Sequence, residues 1–320
     1  MKEYYVNTLE LNSEFTDFFM IKEIAVKVGS NGKSYLDVNL ADMTGEINGK
    51  KWDITEDEIY TINTMLPGDF VEVKASVSEW NGVKQLKIMR IRRGQKEDNL
   101  TISDYIKAAP EAPEDMYAYI TDRAASIGDE GLKAMALKFL SEEKERLMYY
   151  PAAMRNHHAE MGGLLYHIKR MLDLGERACL VYKGLDRDWV ICGVILHDME
   201  KLNEIESNEY GISPGYSMEG QLLGHIVQGV KTIDRYAEAV GLSEEKAIML
   251  EHMIVSHHME PEFGSPKKPM FPEAELLHYL DMIDAKMFDY EDALSGVQPG
   301  EFSDKVRTLD GRRLYKPSFK

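Results

Sequence analysis

Two hydrophobic periods divide the chain. From Phe18 to about Arg93 the period is two: Leu36, Val38 and Leu40 interleave with Tyr35, Asp37 and Asn39, and Val71, Val73, Ala75 and Val77 with Phe70, Glu72, Lys74 and Ser76. This alternation predicts half-buried antiparallel strands. Turn signals at Gly29-Ser30-Asn31-Gly32, Asp42-Met43-Thr44-Gly45, Pro67-Gly68-Asp69 and Asn81-Gly82 separate about five short strands, and Thr55 to Met65 reads as the one helix among them. Beyond an Ala-Pro-Glu-Ala-Pro-Glu-Asp run near residue 110 the period becomes 3.6. Met116 to Ile127, Gly131 to Phe139 and Glu142 to Tyr149 predict short helices, and helical patterning continues to about residue 290.

Five strands with one intervening helix predict a small all-β barrel, with the oligonucleotide-binding (OB) fold as its expected form. The expected organisation is this barrel domain over residues 1–95, a linker over 96–115, an all-α helical bundle over 116–292 and a basic tail over 293–320. No internal repeat or low-complexity segment interrupts it.

The helical pattern contains an anomaly. Val190, Ile191, Val194 and Ile195 form an apolar stripe, and its next positions are His197, Asp198 and Lys201. Polar groups pointed into a core need partners, because burying an unpaired charge is costly. One His-Asp pair at a helix end is more often a structural hydrogen bond than a ligand pair. Here the pattern recurs: His167 lies beside Leu164, Ile168 and Met171, His225 shares a face with Leu222 and Ile226, His257 and His258 continue Ala247, Leu250 and Ile254, and Asp281 continues Leu277 and Leu280. Five helices thus each deliver His or Asp inward. Seven nitrogen and oxygen donors exceed what one tetrahedral ion needs, so two divalent ions are expected, with Asp198 placed to bridge them. Two such ions favour hydrolysis at phosphorus.

Composition narrows the chemistry. Only Cys179 and Cys192 occur, both within apolar helical patterns, so neither a disulfide framework nor a zinc knuckle is available. His with carboxylate and no thiolate suits Mn, Fe, Co, Ni or Zn. All nine histidines lie between residues 157 and 278, which confines the metal chemistry to the helical domain. No run approaches the length of a membrane span or signal peptide, so a cytoplasmic protein without a membrane partner is expected.

The net charge of −17 argues against a wholly basic nucleic-acid binder, but it is unevenly spread. Residues 1–96 hold 13 Lys and Arg against 15 Asp and Glu, whereas residues 97–320 hold 25 against 40. Within Asn81–Lys96 lie Lys84, Lys87, Arg90, Arg92, Arg93 and Lys96 with no acid. Tyr35 and Phe70 sit opposite the apolar face of their strands, and Trp52 and Trp80 fall near turns. Aromatics that stack bases, with Lys84, Lys87, Arg90 and Arg92 along the phosphates, are what a single-strand groove requires. Any one of these aromatics, Trp52 or Phe70 above all, could equally complete the barrel core. Such a groove should weaken as salt rises.

His167, then His197-Asp198, then Asp281 resembles the H…HD…D signature of the HD-domain phosphohydrolases, and the added His225 and His257-His258 resemble its binuclear subset. Pro151-Ala152-Ala153-Met154-Arg155-Asn156-His157-His158, Gly162-Gly163-Leu164-Leu165-Tyr166-His167, the barrel in front and the tail Leu309-Asp310-Gly311-Arg312-Arg313-Leu314-Tyr315-Lys316-Pro317 together resemble the YhaM family of 3′→5′ exoribonucleases over nearly the whole chain. The resemblance implies a divalent-metal-dependent enzyme, usually activated by manganese, that removes nucleotides from the 3′ end of single-stranded RNA and acts on DNA too.

On that resemblance His167, His197, Asp198 and Asp281 would hold one ion and His225, His257 and His258 the other, Asp281 being preferred to Asp284 by position. Lys201 would donate to a phosphate oxygen in the transition state. Arg155, His157, His158 and Arg313 are phosphate-clamp candidates, with surface pairing or loop packing as the alternative for each. His252 and His278 fall off the ligand positions and read as supporting or structural. From Lys305 to Lys320 six cations face one acid, Asp310, and Leu314-Tyr315 favours docking of this tail.

Two other functions are open: an HD hydrolase of small nucleotides or cyclic dinucleotides, and a non-catalytic single-strand binder. A groove of stacking aromatics would be of no use to the first, and seven retained ligands argue against the second. Homo-oligomerisation is compatible with all three.

Overall fold

The computed structural model describes residues 2–29, 32–80, 82–101, 104–154, 158–208, 210–213 and 215–319. It divides into two compact units, Met1–Ala108 and Ala109–Lys320.

In the first unit β1 (Glu14–Val28), β2 (Ser34–Asp42), β3 (Gly45–Lys51), α1 (Glu56–Ile62), β4 (Phe70–Trp80) and β5 (Val83–Arg93) follow in order. The strands close into a barrel in the order β1-β2-β3-β5-β4, the arrangement of an OB fold. Closure depends on β1, fifteen residues long, which pairs with β2 through its second half and with β4 through its first. A register shift between Ile21 and Glu23 bends it between the two partners. One pairing departs from the antiparallel expectation: β3 and β5 run parallel, because α1 carries the chain across the barrel before β4. Thr55 starts α1 as a capping box with Glu58. The alternating positions read from the sequence do form the core: Leu36, Val38, Leu40, Val71, Val73, Ala75 and Val77 are buried around Phe19 and Ile21.

The second unit is helical: α2 (Pro113–Ala125), α3 (Glu130–Glu142), α4 (Lys144–Leu147), α5 (Gly163–Val181), α6 (Arg187–Leu196), α7 (Lys201–Glu204), α8 (Met218–Val240), α9 (Glu244–Ser256) and α10 (Pro272–Ser295). Met116, Ile120, Leu132, Met135, Phe139, Leu164, Ile168, Met171, Ile191, Ile195, Met253 and Leu277 are among the side chains filling its core. Helix starts are written in the sequence, with Asp129, Asp186 and Ser217 accepting backbone N–H bonds at the first turns of α3, α6 and α8.

Two hairpins interrupt the expected run of helices. β6 (Ile205–Glu206) pairs with β7 (Gly215–Tyr216). β8 (Phe302–Val306) pairs with β9 (Arg312–Tyr315), so the basic tail is an ordered hairpin. Buried Leu309 and Leu314 seat it, Arg312 donates to Tyr290 OH at 3.2 Å, and Lys316 donates to Leu294 O at 2.9 Å on α10. No helix among the described residues is long and apolar enough to cross a membrane.

Candidate metal centre

His197 and Asp198 lie where α6 ends, His197 being its C-cap. An α-helix carries consecutive side chains about 100° apart, but the turn after the cap lets both point the same way. His197 Nδ1 donates to Val194 O at 2.8 Å, which leaves Nε2 facing inward, 3.2 Å from Asp198 Oδ2. The same device recurs at the end of α9, where His257 Nδ1 donates to Ile254 O at 2.7 Å and His258 Nδ1 to Phe263 O at 2.7 Å. Both Nε2 atoms are thereby presented to the centre.

His225 is presented by a break. Within α8, Gly224 is left-handed (φ 70°), which interrupts the helix one residue before His225. The freed His225 N–H goes to Glu204 Oε1 (3.1 Å) while its ring Nδ1 goes to Glu204 Oε2 (3.0 Å). His225 Nε2 then stands 3.5 Å from Asp198 Oδ1.

Among the described residues three groups of donors stand close enough to hold an ion: His158, His167 and Asp284 form one, tied together by hydrogen bonds, and the other two share Asp198. Of these two, His167, His197 and Asp198 make the first; Asp198, His225, His257 and His258 make the second. On the first side His167 Nε2 lies 3.3 Å from His197 Nε2 and 3.8 Å from Asp198 Oδ2. On the second, His257 Nε2 lies 3.7 Å from Asp198 Oδ1. Asp281 on α10 lies between the groups, with Oδ1 3.4 Å from His167 Nε2 and Oδ2 4.0 Å from His258 Nε2. Asp198 Oδ1, His225 Nε2 and His257 Nε2 are buried and lack a hydrogen-bond partner. Converging acceptors without donors are the condition a cation satisfies, so this donor set fits divalent metal.

The electrostatics agree. Burial disfavours the ionised form of Asp198, yet the nearby His197, the Lys201 ammonium and His225 hold its carboxyl well below the usual range. Burial pushes His257 and His258 down, so both imidazoles are neutral and able to ligate. Burial also opposes a charge on His167, but Asp281 and Asp284 outweigh it and raise the group to about 9. Lys201, one turn past Asp198, sets its ammonium 2.6 Å from Asp198 Oδ2. Despite burial it is raised above its ordinary value by Asp198 and Asp281.

Other expected residues fall elsewhere. His158 is wholly buried, its Nε2 2.7 Å from Asp284 Oδ2 and its ring 4.1 Å from that of Phe288. This corrects its reading as a phosphate clamp in favour of the packing alternative: its Nε2 is taken by Asp284 and its ring is packed on Phe288. Arg155 and His157 lie outside the described residues. Arg313 donates Nε to Ser303 O and lies over the Phe302 ring within the tail hairpin. His252 Nε2 accepts from Met270 N, and His278 Nδ1 donates to His257 O, bracing the turn that carries the paired histidines. Glu204 was not anticipated. The available signal was its place three residues after Lys201, continuing the inward series from His197.

On the barrel the expected nucleic-acid residues divide. Tyr35 and Trp52 stack at 4.6 Å, with Lys50 Nζ 5.9 Å from the Tyr35 ring. Lys50, Trp52, Ser78, Trp80, Gln85, Leu86 and Lys87 line a groove of about 320 Å³, and Trp80 is 68% exposed. Phe70 instead packs edge-on to buried Tyr105, centroids 5.0 Å apart. Three of the four expected cations are already engaged: Lys84 donates to Leu9 O, Arg90 to Glu72, and Arg92 to both Glu72 and Asp98. Arg92, gripped by two carboxylates, is the correction; Arg90, 66% exposed at its side chain, makes a surface pair of the kind that exchanges readily. Lys50, absent from the expected set, lines the groove beside Lys87.

Comparison with known proteins adds three findings. The HD domain model matches residues 164–286. The 3′-5′ exoribonuclease YhaM of Geobacillus sp. (strain WCH70) is 38% identical over 311 residues, covering 97% of this chain and 94% of that protein. Its namesake in Bacillus subtilis (strain 168) is 37% identical over 311 residues, covering 97% of each. Among solved structures, a domain of replication protein A from Methanococcus maripaludis is 23% identical with a TM-score of 0.24, covering 28% of this chain and 92% of that one. A mitochondrial single-stranded DNA binding protein from S. cerevisiae is 17% identical with a TM-score of 0.23, covering 26% and 96%.

Proposed function

The chain belongs to the YhaM family of 3′→5′ exoribonucleases, and from that premise we propose how its residues share the work. It is a metal-dependent exoribonuclease, a hydrolase of phosphodiester bonds. We assign it two ions, manganese first among the candidates, single-stranded RNA as substrate with single-stranded DNA also accepted, and a cytoplasmic site of action.

His167, His197, Asp198 and Asp281 would hold one ion and His225, His257 and His258 the other, Asp198 standing beside both groups. When bound, two such ions supply a hydroxide at neutral pH and neutralise the phosphoryl oxygens of an in-line displacement. The chain's own side chains do the rest. Val194 O, Ile254 O, Phe263 O and Glu204 each take an Nδ1–H, so that every Nε2 faces the centre with its lone pair. Lys201 brings its ammonium to the centre and stabilises charge that grows on a phosphate oxygen. On the barrel Tyr35, Trp52 and Trp80 stack bases while Lys50 and Lys87 follow phosphates, an arrangement tolerant of sequence.

The observation that carries this reading is the buried Asp198 Oδ1 with two partnerless imidazole nitrogens turned toward it. The test is to strip metal from the protein and incubate it with 5′-labelled single-stranded RNA, with and without Mn²⁺, beside Asp198→Ala. A ladder shortening from the 3′ end only with metal, and absent in the variant, supports the reading. RNA that is retarded on a gel but stays intact would leave a binder, and would send the helical unit to small-nucleotide substrates.

A further inference from the structure

Asp284 lies one helical turn beyond Asp281 on α10 and is buried to 4% exposure. Both of its carboxylate oxygens are engaged. Oδ2 lies 2.7 Å from His167 Nδ1 and 2.7 Å from His158 Nε2, and Oδ1 lies 2.6 Å from Arg170 Nε. Arg170 is itself anchored by Glu291 at 3.0 Å and lies over the Tyr166 ring. His158 is wedged against Phe288 and Tyr166.

We infer that Asp284, clamped by Arg170 and His158, is a positioning residue that fixes His167 as a metal ligand and is not itself a ligand. This rests on the metal-dependent reading above. An ionised carboxylate accepts hydrogen bonds and has none to give, and a guanidinium only donates. With Arg170 on one oxygen, the other must receive an N–H from each imidazole. His167 therefore keeps a proton on Nδ1, which leaves Nε2, the atom that faces His197, Asp281 and Asp198, as the one to bind an ion. Among the ligand histidines His167 is the one whose Nδ1 meets a carboxylate clamped by two further side chains; His197 and His257 meet backbone carbonyls. Three donors on two oxygens leave Asp284 little capacity to turn toward an ion.

Asp284→Asn tests this, because an amide has one acceptor oxygen and its NH₂ collides with either Arg170 or the imidazoles. Mn²⁺ binding to the full-length metal-stripped protein is measured by calorimetry, together with the Mn²⁺ dependence of RNA hydrolysis. The expected result is affinity weakened about 10- to 100-fold at unchanged stoichiometry, with kcat largely recovered at saturating Mn²⁺. Arg170→Gln, at a partly exposed position, gives a smaller loss in the same direction and serves if Asp284→Asn does not fold. Wild-type Mn²⁺ affinity in a folded Asp284→Asn would overturn the inference and leave Asp284 a packing residue. Loss of one bound ion that saturation does not restore would also overturn it, since Asp284 would then be a ligand. If the wild-type protein binds no Mn²⁺ at all, the metal reading itself fails, which is a separate result.

Discussion

Lys201 places its ammonium 2.6 Å from Asp198 Oδ2, inside the cluster that would receive metal. The pair has two readings. If Lys201 only balances charge, its loss should loosen the fold or the metal. If it serves the reaction, its loss should spare both and slow the chemistry.

The second is expected. Lys201→Met removes this ammonium while keeping the aliphatic stem. It should lower single-turnover hydrolysis about 100-fold, the scale for deleting one preorganised donor. Mn²⁺ affinity should hold or tighten, because a competing cation has left Asp198. Calorimetry beside quenched-flow hydrolysis separates the outcomes, and a parallel fall in affinity would count against a role in the chemistry.

Glu204 makes a different kind of demand. It takes both the backbone N–H and the ring Nδ1 of His225, across the break at Gly224. Glu204→Gln keeps one acceptor and should cost about 10-fold in affinity for one ion of two, with Glu204→Ala nearer 100-fold. Binding isotherms should become visibly biphasic, the tighter phase staying with the His167 side.

What could be read from the chain and what could not follows the range of the interactions. His167, His197, Asp198, His225, His257, His258 and Asp281 announced themselves because polar groups on apolar helical stripes contradict the local pattern. Glu204 and Asp284 gave a weaker signal: acids on helices are ordinary, and only the approach of α8 and α5 makes these two into supports. The barrel shows the same limit. Its alternation located the strands, but the fate of the cations depended on register. Glu72 falls directly across from Arg92, so the pairing of β4 with β5 neutralises part of a strip that looked free in the sequence. The β6–β7 and β8–β9 hairpins left no periodic trace because strands of two to five residues are too short to display one.

The groove on the barrel gives the next prediction. Trp52→Ala and Trp80→Ala should each weaken binding of single-stranded RNA by about 1–3 kcal/mol, the range for one base stacked on an aromatic ring. Phe70→Ala should leave RNA binding intact and lower thermal stability, because its ring packs on buried Tyr105. Lys50→Ala and Lys87→Ala should flatten the salt dependence, whereas Arg92→Ala should not, since Arg92 is held by Glu72 and Asp98. Fluorescence anisotropy with a labelled oligonucleotide across a salt series distinguishes the two groups. Equal slopes for Lys87→Ala and wild type would remove Lys87 from the interface.

Metal loading should depend on pH with a predictable sign. In the metal-free protein burial works against a charge on His167, but Asp281 and Asp284 raise it to about 9. With Nδ1–H committed to Asp284, the titrating proton is on Nε2, where an ion must bind. Below about 9 an incoming ion therefore displaces one proton, while His257 and His258, held neutral by burial, release none. Affinity should rise as pH rises, up to about tenfold per unit for a single linked proton, and level off above about 9. At subsaturating Mn²⁺ the hydrolysis rate follows the same curve; at saturating Mn²⁺ that part of the profile flattens. Calorimetry in two buffers of different ionisation enthalpy counts the protons released near pH 7, and the expected count is close to one. Asp284→Asn, which removes one of the two carboxylates that stabilise the imidazolium, should shift the plateau to lower pH. A plateau that does not move would mean that Asp281 alone sets the His167 proton.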